Sequence, residues 1–162
     1  MKKIYTQNCW PARERDGKKH NPLAIVLHIT DGSFKSTVNH IQNPNSQVSY
    51  NWIFNKGDWY ECVSEEDAAW ANGLAVNPTW PLYDEKVNCN LRTISIGVVN
   101  KGEFPNVQHW FKWARGCKQI MKRYNIPLNR SGVVNHFEIR SDKRCPRPWF
   151  TRRWLQLLWN IV

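Results

Sequence analysis

The run 23-LAIVLHIT-30 constrains the fold more than any other stretch of the chain. From Leu23 to Ile29 it is almost wholly apolar and rich in branched side chains, the pattern of a strand buried on both faces. His28 interrupts it near the end, just before the turn-like TDGS. A histidine in such a place is more often a hydrogen-bonded core residue than a ligand. Its role therefore depends on what the rest of the chain brings to it.

A second stretch, 132-GVVNHFEIRSDKRCP-146, repeats the device: a short branched run ends at His136, and Cys145 follows nine residues on, directly after Lys143 and Arg144. A thiolate and two imidazoles at one centre suit zinc, which takes nitrogen and sulfur ligands tetrahedrally. Structural zinc sites use four protein ligands, whereas catalytic ones use three and keep the last position for water. His28, His136 and Cys145 together thus predict a metal site built for hydrolysis.

A chain of 162 residues is one domain by size, with room for a real core. Apolar residues at 41% and charged ones at 22% exclude a disordered chain, and 10 Trp suggest aromatic surface used for binding as well as packing. The excess of 23 Lys and Arg over 13 Asp and Glu gives +10, which draws the protein to anionic polymers or surfaces. Nucleic acid, an acidic cell wall and anionic lipid all qualify. Six of the fourteen residues from Arg140 to Arg153 are Lys or Arg, so part of that charge sits beside the predicted site. Five cysteines without a CxxC pair fit folding in a reducing compartment better than a disulfide framework. Residues 1–22 read as an arm lying on the domain that runs from 23 to 162, and they show neither a cleavable signal nor a membrane span. Synthesis in the cytoplasm is the expectation.

Between the two key stretches, SFKSTVNHIQ predicts a short helix capped by Ser33 or Ser36, with His40 on the surface. VSYNWIF, NKGD and WYECV predict a hairpin whose Tyr50, Trp52 and Phe54 share one face. Residues 64–91 form a long loop in which Trp70 and Trp80 either line a groove or plug a gap. TISIGVV is a further strand, with Ile94, Ile96 and Val98 on one face. Apolar side chains from Val107 to Tyr124 recur at helical spacing, with Cys117 among them as a packing residue. The tail PWFTRRWLQLLWNIV is also helical in pattern, either packing on the core or touching anionic membrane as well.

Taken in order, IVLHIT, VSYNWIF, AAWANG, TISIG and HFE followed by KRCP resemble motifs of the zinc-dependent N-acetylmuramoyl-L-alanine amidases, the family of phage amidase lysozymes and peptidoglycan recognition proteins. The resemblance runs from about Leu23 to Trp149. It implies a single α/β domain with a central mixed sheet flanked by helices, and zinc on His28, His136 and Cys145. It further implies cleavage of the amide between muramic acid and L-alanine in peptidoglycan, assisted by Tyr50 and Lys143. Lys143 is the expected oxyanion donor, and Tyr50 carries protons, with Glu138 as the alternative carboxylate or a structural partner of a ligand histidine. Trp70, Asn51 and Asn72 are the expected substrate contacts, the last two at positions where many members carry histidine. An acidic residue that often follows the SIG strand is replaced by Val98 and Val99.

The implied setting is a monomeric phage or prophage endolysin, or a bacterial autolysin, made in the cytoplasm and acting on the wall after release. Two competing readings are a recognition protein that binds peptidoglycan without cutting it and a basic nucleic-acid-binding domain. Binding-only relatives commonly lose the zinc cysteine, which this chain retains. A nucleic-acid partner gives no reason for His28, His136 and Cys145, so none is expected.

Overall fold

The apolar run at 24–30 becomes an inner strand of a six-stranded sheet. In the computed structural model, which describes residues 2–12, 20–100, 103, 105–146 and 149–162, the strands are β1 (Lys2–Lys3), β2 (Cys9–Trp10), β3 (Ala24–Thr30), β4 (Trp52–Asn55), β5 (Asp58–Glu61), β6 (Ala68–Ala69), β7 (Thr93–Val99) and β8 (Val133–Asn135). The helices are α1 (Phe34–Gln42), α2 (Val107–Arg123) and α3 (Arg152–Leu158). Sheet order is β1-β5-β4-β7-β3-β8, and β2 pairs separately with β6. Only β4 and β5 run antiparallel within the large sheet, so the architecture is the mixed α/β one expected.

Alternation along the inner strands sorts the chain into two layers. Ile25, Leu27, Ile94, Ile96, Val98, Trp52 and Phe54 point to one side, where they bury against Trp113, Cys117 and Ile120 of α2 and Leu155 and Leu158 of α3. Asn106 caps α2, its side chain accepting from the amide of Gln108 at 2.9 Å. Ala24, Val26 and Val134 face the other side, beneath Trp80 and Ile139, and Ile53 meets Ile41 of α1 there. Ser33 is the cap of α1, accepting from the amide of Ser36.

The β4–β5 hairpin turns on Lys56 and Gly57, both at positive φ, the mark of a two-residue I′ turn that suits glycine at the second place. Tyr50 does not share a face with Trp52 and Phe54. The strand begins only at Trp52, and the amides of both Cys62 and Val63 donate to the Asn51 carbonyl, so a bulge shifts the alternation before β4. Tyr50 consequently packs with Ile53 and Ile41, on the face opposite α2.

The N-terminal arm does more than lie on the surface. β1 extends the sheet edge alongside β5, and buried Asn8 donates to the carbonyls of Ile41 and Asn43, each at 3.0 Å. Residues 13–19 of the arm lie outside the described residues. The C-terminal helix covers only seven residues: Leu155 and Leu158 are buried, whereas Leu157 and Ile161 are exposed. Among the described residues no helix is long and apolar enough to cross a membrane.

Candidate metal centre

β3 and β8 are parallel neighbours with Leu27 opposite Asn135, so the residues that follow, His28 and His136, emerge side by side. His28 belongs to the face of Ala24 and Val26. His136 opens a one-turn 3-10 helix, His136–Glu138, whose start is fixed because the Glu138 carboxylate accepts from the amide and Nδ2 of Asn135 at 2.9 and 3.0 Å. Cys145 arrives from a loop. The Phe137 amide donates to its carbonyl at 3.1 Å and ties that loop beside the turn.

The three donors converge. His28 Nδ1 lies 3.2 Å from His136 Nδ1, which lies 3.0 Å from Cys145 Sγ, and the ligand atoms of all three residues fall within 4.8 Å of one another. His136 Nε2 faces the carbonyl of Asn72 at 3.2 Å. A carbonyl only accepts, so the proton of that ring belongs on Nε2, and Nδ1 offers its lone pair to the centre.

Electrostatics prepare the same donors. Burial holds the His28 imidazole well below its ordinary range, with the charge of His136 adding to the effect. Burial likewise brings His136 down to about 4; the Asn72 carbonyl opposes this, and Lys143 and Arg140 reinforce it. Both rings are therefore neutral near pH 7. Burial raises the Cys145 thiol, while the backbone of Ile29 and the charge of Lys143 pull it the other way. Two neutral imidazoles whose Nδ1 atoms converge beside a thiol fit a borderline-soft divalent cation such as zinc.

The donors open onto a cleft of about 890 Å³. Tyr50 lines it, with its ring edge-on to His28 at 5.3 Å and lying over Gly97, where an added Cβ would stand 3.1 Å from the ring. Burial above all pushes the Tyr50 hydroxyl far up, with Cys145 and Asp31 contributing, so it stays protonated. Lys143 is exposed at the rim of the cleft, and half-buried Trp70 lines it with its ring against Trp10 at 5.9 Å. Asn72 also borders the cleft, although it is fully enclosed. Trp80 is a plug: it is buried, and its Nε1 donates to the Ser131 carbonyl at 2.8 Å.

Two expected site residues lie elsewhere. Asn51 is fully buried in the bulge, donating to the carbonyls of Ser64 and Asp67 and accepting from the Ser95 amide at 3.0 Å, so it has no atom left for a substrate. Glu138 turns away from the cleft to meet Arg130 at 3.1 Å and Arg152 at 2.7 Å, because a 3-10 turn sends residues two apart in different directions. It bonds neither ligand histidine; its part is to fix the turn that carries one.

The sequence reading also missed residues that the cleft does use. Asp31, three residues after His28, is the one carboxylate lining it among the described residues. His40, Arg140 and Arg144 join Lys143 in the lining, and Arg140 is held by a two-point contact with Asp142 at 3.0 and 2.8 Å. Nothing in their spacing announces them, since turn residues and helix-surface residues look alike in sequence.

A mixed α/β sheet thus delivers two histidines and a cysteine, a metal-type donor set, to a cationic cleft. The profile of the N-acetylmuramoyl-L-alanine amidases matches residues 18–148, and the chain belongs to this family. No curated protein matches it. Among solved structures, a Se-Met derivative of AmpD aligns with a TM-score of 0.69 at 17% identity, covering 97% of this chain and 93% of that one. A mutant form of PlyL aligns at 0.63 and 22%, covering 99% and 94%. The amidase AmiD from E. coli, in complex with the substrate anhydro-N-acetylmuramic acid-L-Ala-D-gamma-Glu-L-Lys, aligns at 0.69 and 21%, covering 85% and 57%. These likenesses confirm the fold, and family membership supports amidase activity on peptidoglycan.

Proposed function

We propose that the protein hydrolyses the amide between N-acetylmuramic acid and L-alanine in peptidoglycan, with zinc held by His28, His136 and Cys145. The observation that carries this reading is the convergence of those three donors at the cleft of a chain in this family. Zinc, when bound, supplies a Lewis acid and lowers the pKa of water.

The chain's own residues supply the rest. Lys143, placed two residues before Cys145, brings a cation to the negative charge that develops on the scissile carbonyl oxygen. Tyr50 keeps its proton near neutral pH and serves as a hydrogen-bond donor. Asp31, the cleft's carboxylate, is placed to accept a proton. Trp70 gives the stem peptide or sugar an apolar wall, and the cationic rim attracts an anionic wall polymer. Asn72 supports the histidines more directly than it meets substrate.

The setting is wall degradation by an endolysin or autolysin acting as a monomer, outside the compartment in which the chain is made. Contact with anionic membrane through the C-terminal helix rests on Arg153, Leu157 and Ile161, because Arg152 is committed to Glu138. Digestion of purified peptidoglycan tests the reaction. The expected product is a free α-amino group on alanine with no new reducing sugar end, whereas reducing ends alone indicate a glycosidase.

A further inference from the structure

Asn72 is held in place from several sides. Its amide and that of Ala71 both donate to Asn90 Oδ1, at 2.9 and 3.2 Å. Its Nδ2 donates to Thr93 Oγ1 at 2.9 Å, and that hydroxyl donates to the Cys89 carbonyl at the same distance. With Nδ2 committed, the free end of the carboxamide is Oδ1. This oxygen is buried and has no hydrogen-bond partner, and His28 Nε2 is in the same condition.

The two orphaned atoms become complementary once the His28 proton lies on Nε2. While the His28 proton sits on Nδ1 it is shared with His136 Nδ1 at 3.2 Å, and Nε2 is a bare acceptor. With Nδ1 given over to a bound cation, the ring's proton would lie on Nε2, which then needs an acceptor in a place closed to water. The Asn72 carboxamide already acts on the His28 ring in the sense of an acceptor, favouring an added proton, although the two atoms stand outside full hydrogen-bond geometry. On its other side the same residue uses its main-chain carbonyl to take the Nε2 proton of His136 at 3.2 Å.

We propose that Asn72 is a positioning residue that sets the tautomer of both imidazoles, His28 through its side chain and His136 through its main chain, so that both present Nδ1 toward Cys145. The proposal rests on the zinc reading of this cluster, and its test separates the two. Zinc affinity is measured by competition with a chromophoric chelator on the full chain, and the visible spectrum of the Co²⁺-loaded protein reports ligand geometry. Asn72→Leu keeps the branched shape and the main-chain carbonyl but removes the Oδ1 acceptor together with the Nδ2 donor to Thr93; Asn72→Asp loses the same donor and keeps an acceptor.

Loss of an outer partner of a metal-bound histidine typically weakens metal binding about 10- to 100-fold, and that is the expected loss for the Leu variant, with an altered Co²⁺ spectrum. The Asp variant should bind zinc at least as tightly as the parent. Thr93→Val frees the carboxamide without touching it, and should cost less than the Leu variant while leaving the fold intact. It tests the same idea if Asn72→Leu does not fold. A parent chain that binds no zinc overturns the zinc reading itself. A parent that binds zinc, with variants that match it in affinity and spectrum or an Asp variant as weak as the Leu one, overturns the role of Asn72 alone.

Discussion

The two faces of the central sheet do different work with residues from the same strands. Toward α2 and α3, Ile25, Leu27, Trp52, Phe54, Ile94 and Ile96 meet Trp113, Phe150 and Leu155 in a continuous apolar layer. Toward α1, the next residues along those strands are smaller or polar: Val26, His28, Ser95 and Gly97. Large side chains fill the first face, and the room left over the second admits Tyr50 and the cleft. A strand buried on both faces can thus devote one to stability and the other to chemistry, with its alternation deciding which residue does which.

Changes on the two faces should therefore fail differently. Cys145→Ser is expected to have the largest effect, losing both zinc and turnover, since a serine hydroxyl is a poor ligand at neutral pH; metal analysis and an amidase assay on the same sample check this together. Lys143→Ala should keep its zinc and lose turnover by roughly 100- to 1000-fold, the usual result of removing one oxyanion donor. A small loss that fades with added salt would reduce Lys143 to part of the attracting field. Gly97→Ala places a methyl about 3.1 Å from the Tyr50 ring and should shift it, lowering kcat by up to ~100-fold without displacing metal. On the opposite face Trp113→Ala should cost about 3–5 kcal/mol in denaturant unfolding, yet leave turnover per folded molecule nearly unchanged. If Trp113→Ala impaired chemistry as much as stability, the division between the faces would not hold.

What was legible in the sequence follows the same division. The branched run of β3, the alternation of β7 and the helical spacing of α2 each report a local period that packing preserves. The three metal-type donors were legible because two histidines that each end a branched run, with a cysteine nine residues after the second, form a chemically specific set. The bulge at Asn51, made by hydrogen bonds to distant segments, and the 3-10 turn at His136–Glu138 were not, since each breaks the local period, and so Tyr50 leaves the face of Trp52 and Phe54. β1 and β2, two residues each, exist only because β5 and β6 pair with them. Asp31 entered the cleft without a signal of its own, as a polar turn residue that the topology happens to aim inward.

The central claim is that His28, His136 and Cys145 form a zinc centre that serves amide hydrolysis. The most direct measurement is digestion of purified peptidoglycan by the protein as prepared, after chelation, and after return of zinc, with the released ends identified by mass spectrometry. The account predicts free L-alanine amino groups that disappear on chelation and return with about one zinc per chain. Undiminished amide cleavage by protein shown to be free of metal would contradict it.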